Sequence, residues 1–185
     1  LEANGISVYS PRSAMFFERP EIKLAIGFLL LALPNYVEAL ENDEFHWMNE
    51  TYLLYLISCI TTANEYLTDS QDNELLRWVR NLGKSHYVLR EPTDYAFSGL
   101  LYQLFSHYPF REILSTPMDG SLIDLRPVRN LALLTQLIGK FEYLHNVTLL
   151  SPRSYQGKRQ IDSMTEKLVN LYLRLLWEGG ITEYE

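Results

Sequence analysis

The stretch Pro20-Glu21-Ile22-Lys23-Leu24-Ala25-Ile26-Gly27-Phe28-Leu29-Leu30-Leu31-Ala32-Leu33 decides the fold class. Ile22, Ala25, Ile26, Leu29, Leu30 and Leu33 recur at intervals of three and four, which is the period of a helix buried along one broad face. Pro20 stands where a first helical turn tolerates proline, and Pro34-Asn35 stops the run. The apolar part is about half the ~20 residues a membrane-spanning helix requires, so the helix belongs in a protein core.

The same period extends outward along the chain. Leu53, Leu56, Ile57, Ile60 and Leu67 predict a helix to about Thr68, and Ser70 to Asn73 offer cap residues before Leu75, Leu76 and Val79. An antiparallel hairpin is the simplest arrangement of these two. Thr93 or Asp94 is expected to cap a helix that turns Phe97, Leu101, Leu104, Phe105 and Tyr108 inward and closes at Pro109. Pro127 opens the next, with Leu131, Leu134, Ile138, Phe141 and Leu144 inward. The last runs from about Arg159, with Ile161, Met164, Leu168, Leu171 and Leu175 inward and Gly179-Gly180 as its stop. Between them, Glu38, Glu41, Asp43, Glu44 and Glu50 mark an exposed acidic connection.

Only Gly5-Ile6-Ser7-Val8-Tyr9 breaks the helical pattern. It alternates like a strand and runs into the turn residues Ser10-Pro11-Arg12-Ser13. A lone strand leaves its backbone groups unpaired, so this one is expected to join a sheet outside the helical part. The expected fold is therefore mainly all-α, a multi-helix orthogonal bundle with one short N-terminal strand or extended stub. No fixed repeat period is present, which argues against a solenoid.

Composition narrows the function. Sixteen basic residues stand against 23 acidic ones in 185, a net charge of −7, which excludes a polycation that coats nucleic acid by bulk charge. With 47% hydrophobic and 13% aromatic residues the chain has the side chains for an ordered core. The single cysteine, Cys59, lies in an apolar stretch and suits a reducing compartment. The opening Leu1-Glu2-Ala3-Asn4 has neither an initiating methionine nor a signal-peptide pattern, so a piece of a longer, cytoplasmic protein without a membrane partner is expected. Asn49-Glu50-Thr51 and Asn146-Val147-Thr148 match the glycosylation pattern by chance on that expectation.

Catalytic signatures are missing. Gly83-Lys84-Ser85 resembles the end of a phosphate loop, but Trp78 stands where that motif needs a glycine, and the triplet follows a helical run rather than a strand. His46, His86, His107 and His145 are too scattered for a zinc site, and no Gly-x-Ser-x-Gly elbow occurs. No catalytic residue and no metal ligand is assigned.

Two segments are locally basic. Arg153, Tyr155, Lys158 and Arg159 form a loop before the last helix that could hold phosphates while the ring stacks on a base. Arg77, Arg80 and Lys84 fall at three and four and share a helix face. A local patch acts independently of the distant acidic surface because charges more than ~8 Å apart are screened at physiological salt.

Gly5-Ile6-Ser7-Val8-Tyr9-Ser10-Pro11-Arg12-Ser13, followed by Phe16-Phe17-Glu18-Arg19-Pro20-Glu21-Ile22-Lys23, resembles a stretch of the UvrD/PcrA/Rep-type superfamily 1 DNA helicases. There a glycine-led strand of the second motor domain runs through a loop into Phe-Phe-x-Arg-x-Glu-Ile-Lys and a helix. Tyr172-Leu173-Arg174 through Trp177-Glu178-Gly179-Gly180-Ile181 looks like the segment that re-enters the motor domain. The resemblance covers about 30 residues closely and the middle by helical character alone.

What the resemblance implies is a stub of the motor domain over residues 1–17 and a helical accessory (2B-like) subdomain over 18–185. ATP and magnesium would be bound by the parent helicase, outside this chain, and drive 3′ to 5′ translocation. The partners would be single-stranded or forked DNA and the remaining motor domains. Phe16 and Phe17 would anchor the stub, and Arg19 and Glu21 would form a structural ion pair or cap. The family's glycine-rich helix-hairpin-helix turn is absent, since Gly99, Gly120, Gly139 and Gly157 are isolated, which leaves DNA contact to the two basic segments. The alternative from a different class is a helical scaffold for protein partners.

Overall fold

A computed structural model of the chain describes residues 16–32, 37, 40, 45, 48–69, 73–88, 96–115, 124–146 and 166–179, of which 69, 73 and 83–88 are described by backbone alone. Pro20 occupies the first position of α1 (Pro20–Leu31), and the extended backbone of Arg19 before it provides the N-cap. The carbonyl of Arg19 accepts the N–H groups of Ile22 and Lys23 at 3.0 and 2.9 Å. Then follow α2 (Glu50–Asp69), α3 (Asn73–Val88), α4 (Phe97–Phe105), α5 (Phe110–Leu114) and α6 (Arg126–Leu144). A π-helical segment, Lys167–Leu173, runs directly into α7 (Arg174–Gly179). The described residues are all-α, with no strand among them. Residues 5–9, expected as a strand, lie outside the described residues.

Helix α1 is the axle of the fold. Ile22, Ala25, Ile26, Gly27, Phe28, Leu29 and Leu30 are all buried, so α1 is covered on every side rather than along one face. Helix α2 lies along its length, and α6, α4 and α3 cover the remainder. The closeness of α1 and α2 has a specific cause. A Cβ added to Gly27 would overlap the backbone carbonyl of Cys59 and stand 2.9 Å from the Cβ of Ala63. Cys59 and Ala63, one turn apart on α2, are fully buried and small enough to admit this approach.

That contact also explains why α2 turns a different face inward than its leucines suggest. Tyr52, Tyr55, Leu56, Cys59 and Ala63 are buried, whereas Leu54 and Ile57 are exposed. Leu53, Ile60 and Leu67 only lean on the core edge. The main partner of α2 is α1, not α3, so the expected hairpin between the two helices gives way to packing on the axle.

Other expectations shift for identifiable reasons. Helix α4 begins at Phe97, later than a Thr93 or Asp94 cap would place it, and its N-cap Ala96 has no capping side chain. The carboxylate of Glu142 on α6 takes that role, accepting the Ser98 N–H at 3.0 Å and the Ser98 hydroxyl at 2.6 Å. Because α4 ends at Phe105, Tyr108 leaves the inward register and is 48% exposed. Leu144 ends α6 in solvent, while Leu131, Leu134, Ile138 and Phe141 are buried as their spacing indicates. The acidic connection is not wholly exposed either, since Phe45 and Met48 are buried.

At the C-terminal end the π-helical geometry changes the face. A π turn takes in more residues than an α turn, so a pattern counted at 3.6 loses phase there. Leu168, Val169, Asn170 and Leu173 are buried, and Leu171 and Leu175 are exposed. The hydroxyl of Tyr52 donates to the Val169 carbonyl at 2.6 Å and ties this segment to α2.

Replacing Gly27 with Ala is expected to destabilise the fold by about 1–3 kcal/mol in urea denaturation, because the obstructing atoms are backbone and cannot swing aside. Gly139, inside α6 with nothing within 4 Å of an added Cβ, is the control. Gly139→Ala should stabilise by about 0.5–1 kcal/mol through helix propensity. A second expectation concerns Cys59, whose thiol is pushed by burial from 9.0 up to about 12. The unfolded thiol ionises first, so its contribution is full below pH 9.0 and is lost as pH climbs towards about 12. Cys59→Ala should flatten that alkaline slope in a pH series of melts. In the native protein a thiol reagent should label Cys59 only at the rate of unfolding.

Candidate nucleic-acid interface

Helix α3 divides its residues between two environments. Leu75, Val79 and Leu82, spaced by four and three, are buried. Arg77 and Arg80 fall on the opposite side and are exposed. Neither guanidinium forms an ion pair or hydrogen bond with a described residue. Lys84 continues the same helix, and its side chain lies outside the described residues. Arg153, Tyr155, Lys158 and Arg159 all lie outside the described residues as well.

Trp78 sits beside Arg77 and bridges α3 to the end of α4. Its ring packs partly on the core, and its indole N–H donates to Gln103 Oε1 at 3.2 Å. The His107 ring lies 5.8 Å away, tilted by 52°. Tyr102, next to Gln103, is 66% exposed, and Tyr108 follows His107. Arg111, one turn beyond, donates its backbone N–H to the His107 carbonyl at 2.9 Å and leaves its side chain exposed and unpaired among the described residues. The structure thus joins α3 to the turn after α4 through Trp78, Gln103 and His107. Sequence reasoning missed this contact and turned Tyr108 inward.

The four residues carrying the helicase resemblance lie elsewhere, at the start of α1. Phe16 and Phe17 are fully buried, with ring centroids 5.2 Å apart and nearly perpendicular. The Tyr55 hydroxyl donates to the Phe17 carbonyl at 3.1 Å, and burial raises the ionisation of that hydroxyl well above the ordinary tyrosine range. Arg19 and Glu21 do not pair with each other. Arg19 caps α1 through its backbone, and its buried Nε has no hydrogen-bond partner. Glu21 reaches α6 instead, where Asn130 Nδ2 donates to its Oε1 at 2.7 Å. The physical reason is helical geometry: the cap residue points away from the first turn, while Glu21 faces the neighbouring helix.

The far end of the described chain returns to the same place. The Trp177 ring lies 5.5 Å from the Tyr52 ring and 6.1 Å from the Tyr55 ring, and the Phe17 ring meets the Tyr55 ring edge-on at 6.1 Å. Lys23, paired with Glu18 at 2.7 Å, stands 5.8 Å over the Tyr55 ring. The turn before α1 and helix α7 are therefore held side by side by two tyrosines of α2.

At the start of α6, Arg126 grips Asp124 through two side-chain bonds of 2.7 Å and its own N–H at 3.0 Å, which lowers the Asp124 carboxyl to about 2. That pair is exposed and closes on itself. Among the described residues no group of three or more His, Cys, Asp or Glu could hold a metal ion, and no helix is long and apolar enough to cross a membrane. No family model, curated protein or solved structure matches the chain.

Because Arg77, Arg80 and Arg111 pair with nothing among the described residues, replacing each with Ala should leave stability within about 0.5 kcal/mol of the parent chain in thermal or urea melts. A larger loss would mean that these side chains serve the fold.

Proposed function

We propose that the chain is a helical accessory subdomain of a UvrD/PcrA/Rep-type DNA helicase, which contacts single-stranded or forked DNA and modulates unwinding without catalysing a reaction itself. The observation that carries this proposal is the meeting of Phe17 and Trp177 across Tyr55. A domain inserted into a host must leave and return at nearly one point, and adjacent ends are what insertion tolerates. The two segments that meet are also the two whose residues resemble the helicases, one at Phe16 to Lys23 and the other at Tyr172 to Gly179. Support for DNA contact comes from Arg77 and Arg80 on α3, which are exposed and have no ion pair or hydrogen bond among the described residues.

The phosphate-loop-like triplet does not have the geometry of such a loop. Gly83-Lys84-Ser85 continues α3 as helix, where a phosphate loop would need a strand before it and a turn through it. ATP and magnesium on this proposal belong to the motor domains, which are also the intracellular partners, and no step through them is assigned to this chain. A second reading, a protein-binding scaffold, draws on Leu54, Ile57, Leu171 and Leu175, which stay exposed on α2 and at the C-terminal end.

Fluorescence anisotropy with labelled forked DNA separates the two. On the helicase reading binding appears at about 50 mM salt and weakens as salt rises, because each phosphate contact releases counterions. The double change Arg77→Ala, Arg80→Ala should weaken binding evenly across sequences and flatten the salt slope by about one per arginine lost. No binding at low salt would remove the DNA reading and leave the scaffold.

A further inference from the structure

The segment Lys167–Leu173 keeps π geometry along its whole length, with backbone hydrogen bonds that span five residues instead of four. Runs of this kind are rare, and this one hides an unexpected set of side chains. Asn170 is buried together with Leu168, Val169 and Leu173, while Leu171 and Leu175 stand exposed. An α-helical winding of the same residues would sort them differently. Counted at 3.6 residues per turn from Leu168, Leu171 and Leu175 fall on its side, whereas Asn170, Leu173 and Trp177 turn away from it. Tyr172, whose ring packs on Phe141 at 5.4 Å, stays on the Leu168 side in either winding and so opposes neither.

The two windings bury similar amounts of apolar side chain. The π form sets Leu173 in the core and the Trp177 ring 5.5 Å from Tyr52 and 6.1 Å from Tyr55. The α form would exchange that pair for Leu171 and Leu175 and return the Asn170 amide to water, where an amide is better placed. Two packings of one sequence that differ this little make a two-state element. We propose that residues 167–179 are a register switch, in which π winding closes Trp177 onto the tyrosines of α2 and α winding releases it. Val169 is the fixed point, because its carbonyl is tied to the Tyr52 hydroxyl at 2.6 Å. Since Trp177 and Phe17 meet across Tyr55, the switch opens and closes the contact between the two ends of the described chain. It goes beyond the helicase reading and does not rest on it, being a property of the chain whatever its ends adjoin.

Fluorine NMR of the 185-residue chain labelled with fluorotryptophan tests this. The chain has three tryptophans, and the signal lost in Trp177→Phe identifies the one of interest. The Trp177 signal is expected to be doubled or to show relaxation dispersion on the microsecond to millisecond scale, while that of Trp78 stays sharp. Asn170→Leu should raise the share of the closed form at least about tenfold, because only that form buries the new side chain. The double change Leu171→Gln, Leu175→Gln should act in the same direction, since both positions are in solvent when Trp177 is packed and inside when it is not. Leu173→Gln should act in the opposite direction and move the signal to a position that shifts between light and heavy water, the mark of an exposed ring.

A single sharp Trp177 signal without dispersion, unmoved in Asn170→Leu and in the double glutamine variant, would overturn the switch and leave one fixed register. If Leu173→Gln fails to fold, those two variants still decide, because neither removes a side chain that the closed form packs into its apolar core. Loss of the switch would leave the binding of forked DNA, and with it the helicase reading, untouched.

Discussion

The contact between Gly27 and the backbone of Cys59 sets the geometry of the molecule. Two helices ordinarily stand 8–10 Å apart because side chains separate them. Here a glycine faces a cysteine and an alanine one turn apart, and α2 settles against α1 with backbone touching backbone. A helix packed this closely cannot also present its leucines to the core. Its inward face is fixed by the small residues, and whatever lies in phase with them is carried inward too. In α2 those residues are Tyr52 and Tyr55, which is why the core of this protein contains two tyrosine hydroxyls that need partners.

Both hydroxyls donate to backbone carbonyls. Tyr55 takes the carbonyl of Phe17, ahead of α1, and Tyr52 takes that of Val169, in the π-helical segment. Each acceptor lies at a place where the helical hydrogen-bond ladder is incomplete or irregular, the turn before a helix and a stretch of π geometry. A buried hydroxyl and a backbone carbonyl with spare acceptor capacity satisfy each other. The rings then collect Phe17 and Trp177 around them, so the closeness of the two ends of the described chain follows from the closeness of α1 and α2.

This hierarchy explains which features were legible in the sequence. The axle α1 was legible because its apolar period is strong and Pro20 marks its start, although being covered all round it shows a weaker face than its pattern suggests. Helix α6 was legible for the same reason, up to its last residue. The face of α2 was not, because apolar periodicity counts leucines and is blind to the steric role of Gly27, Cys59 and Ala63. The C-terminal face was not, because nothing in the residue pattern of Lys167 to Leu173 announces a change from 3.6 residues per turn. The cap of α4 was hidden because its acceptor, Glu142, lies 44 positions away from Ser98. Of the candidate site, the spacing of Arg77 and Arg80 was readable on one helix, whereas Trp78 and His107 come together only when α3 meets the turn after α4.

A domain of net charge −7 cannot rely on bulk attraction to hold DNA, but at physiological salt charges act over only ~8 Å, so the acidic surface and a local pair such as Arg77 and Arg80 are felt separately. On the proposed helicase reading those two arginines would engage a strand only where a host already presents it, because the host raises the local concentration of the strand far above that in solution. The acidic surroundings would then disfavour contact anywhere else, which is the behaviour an accessory contact needs and a primary grip does not.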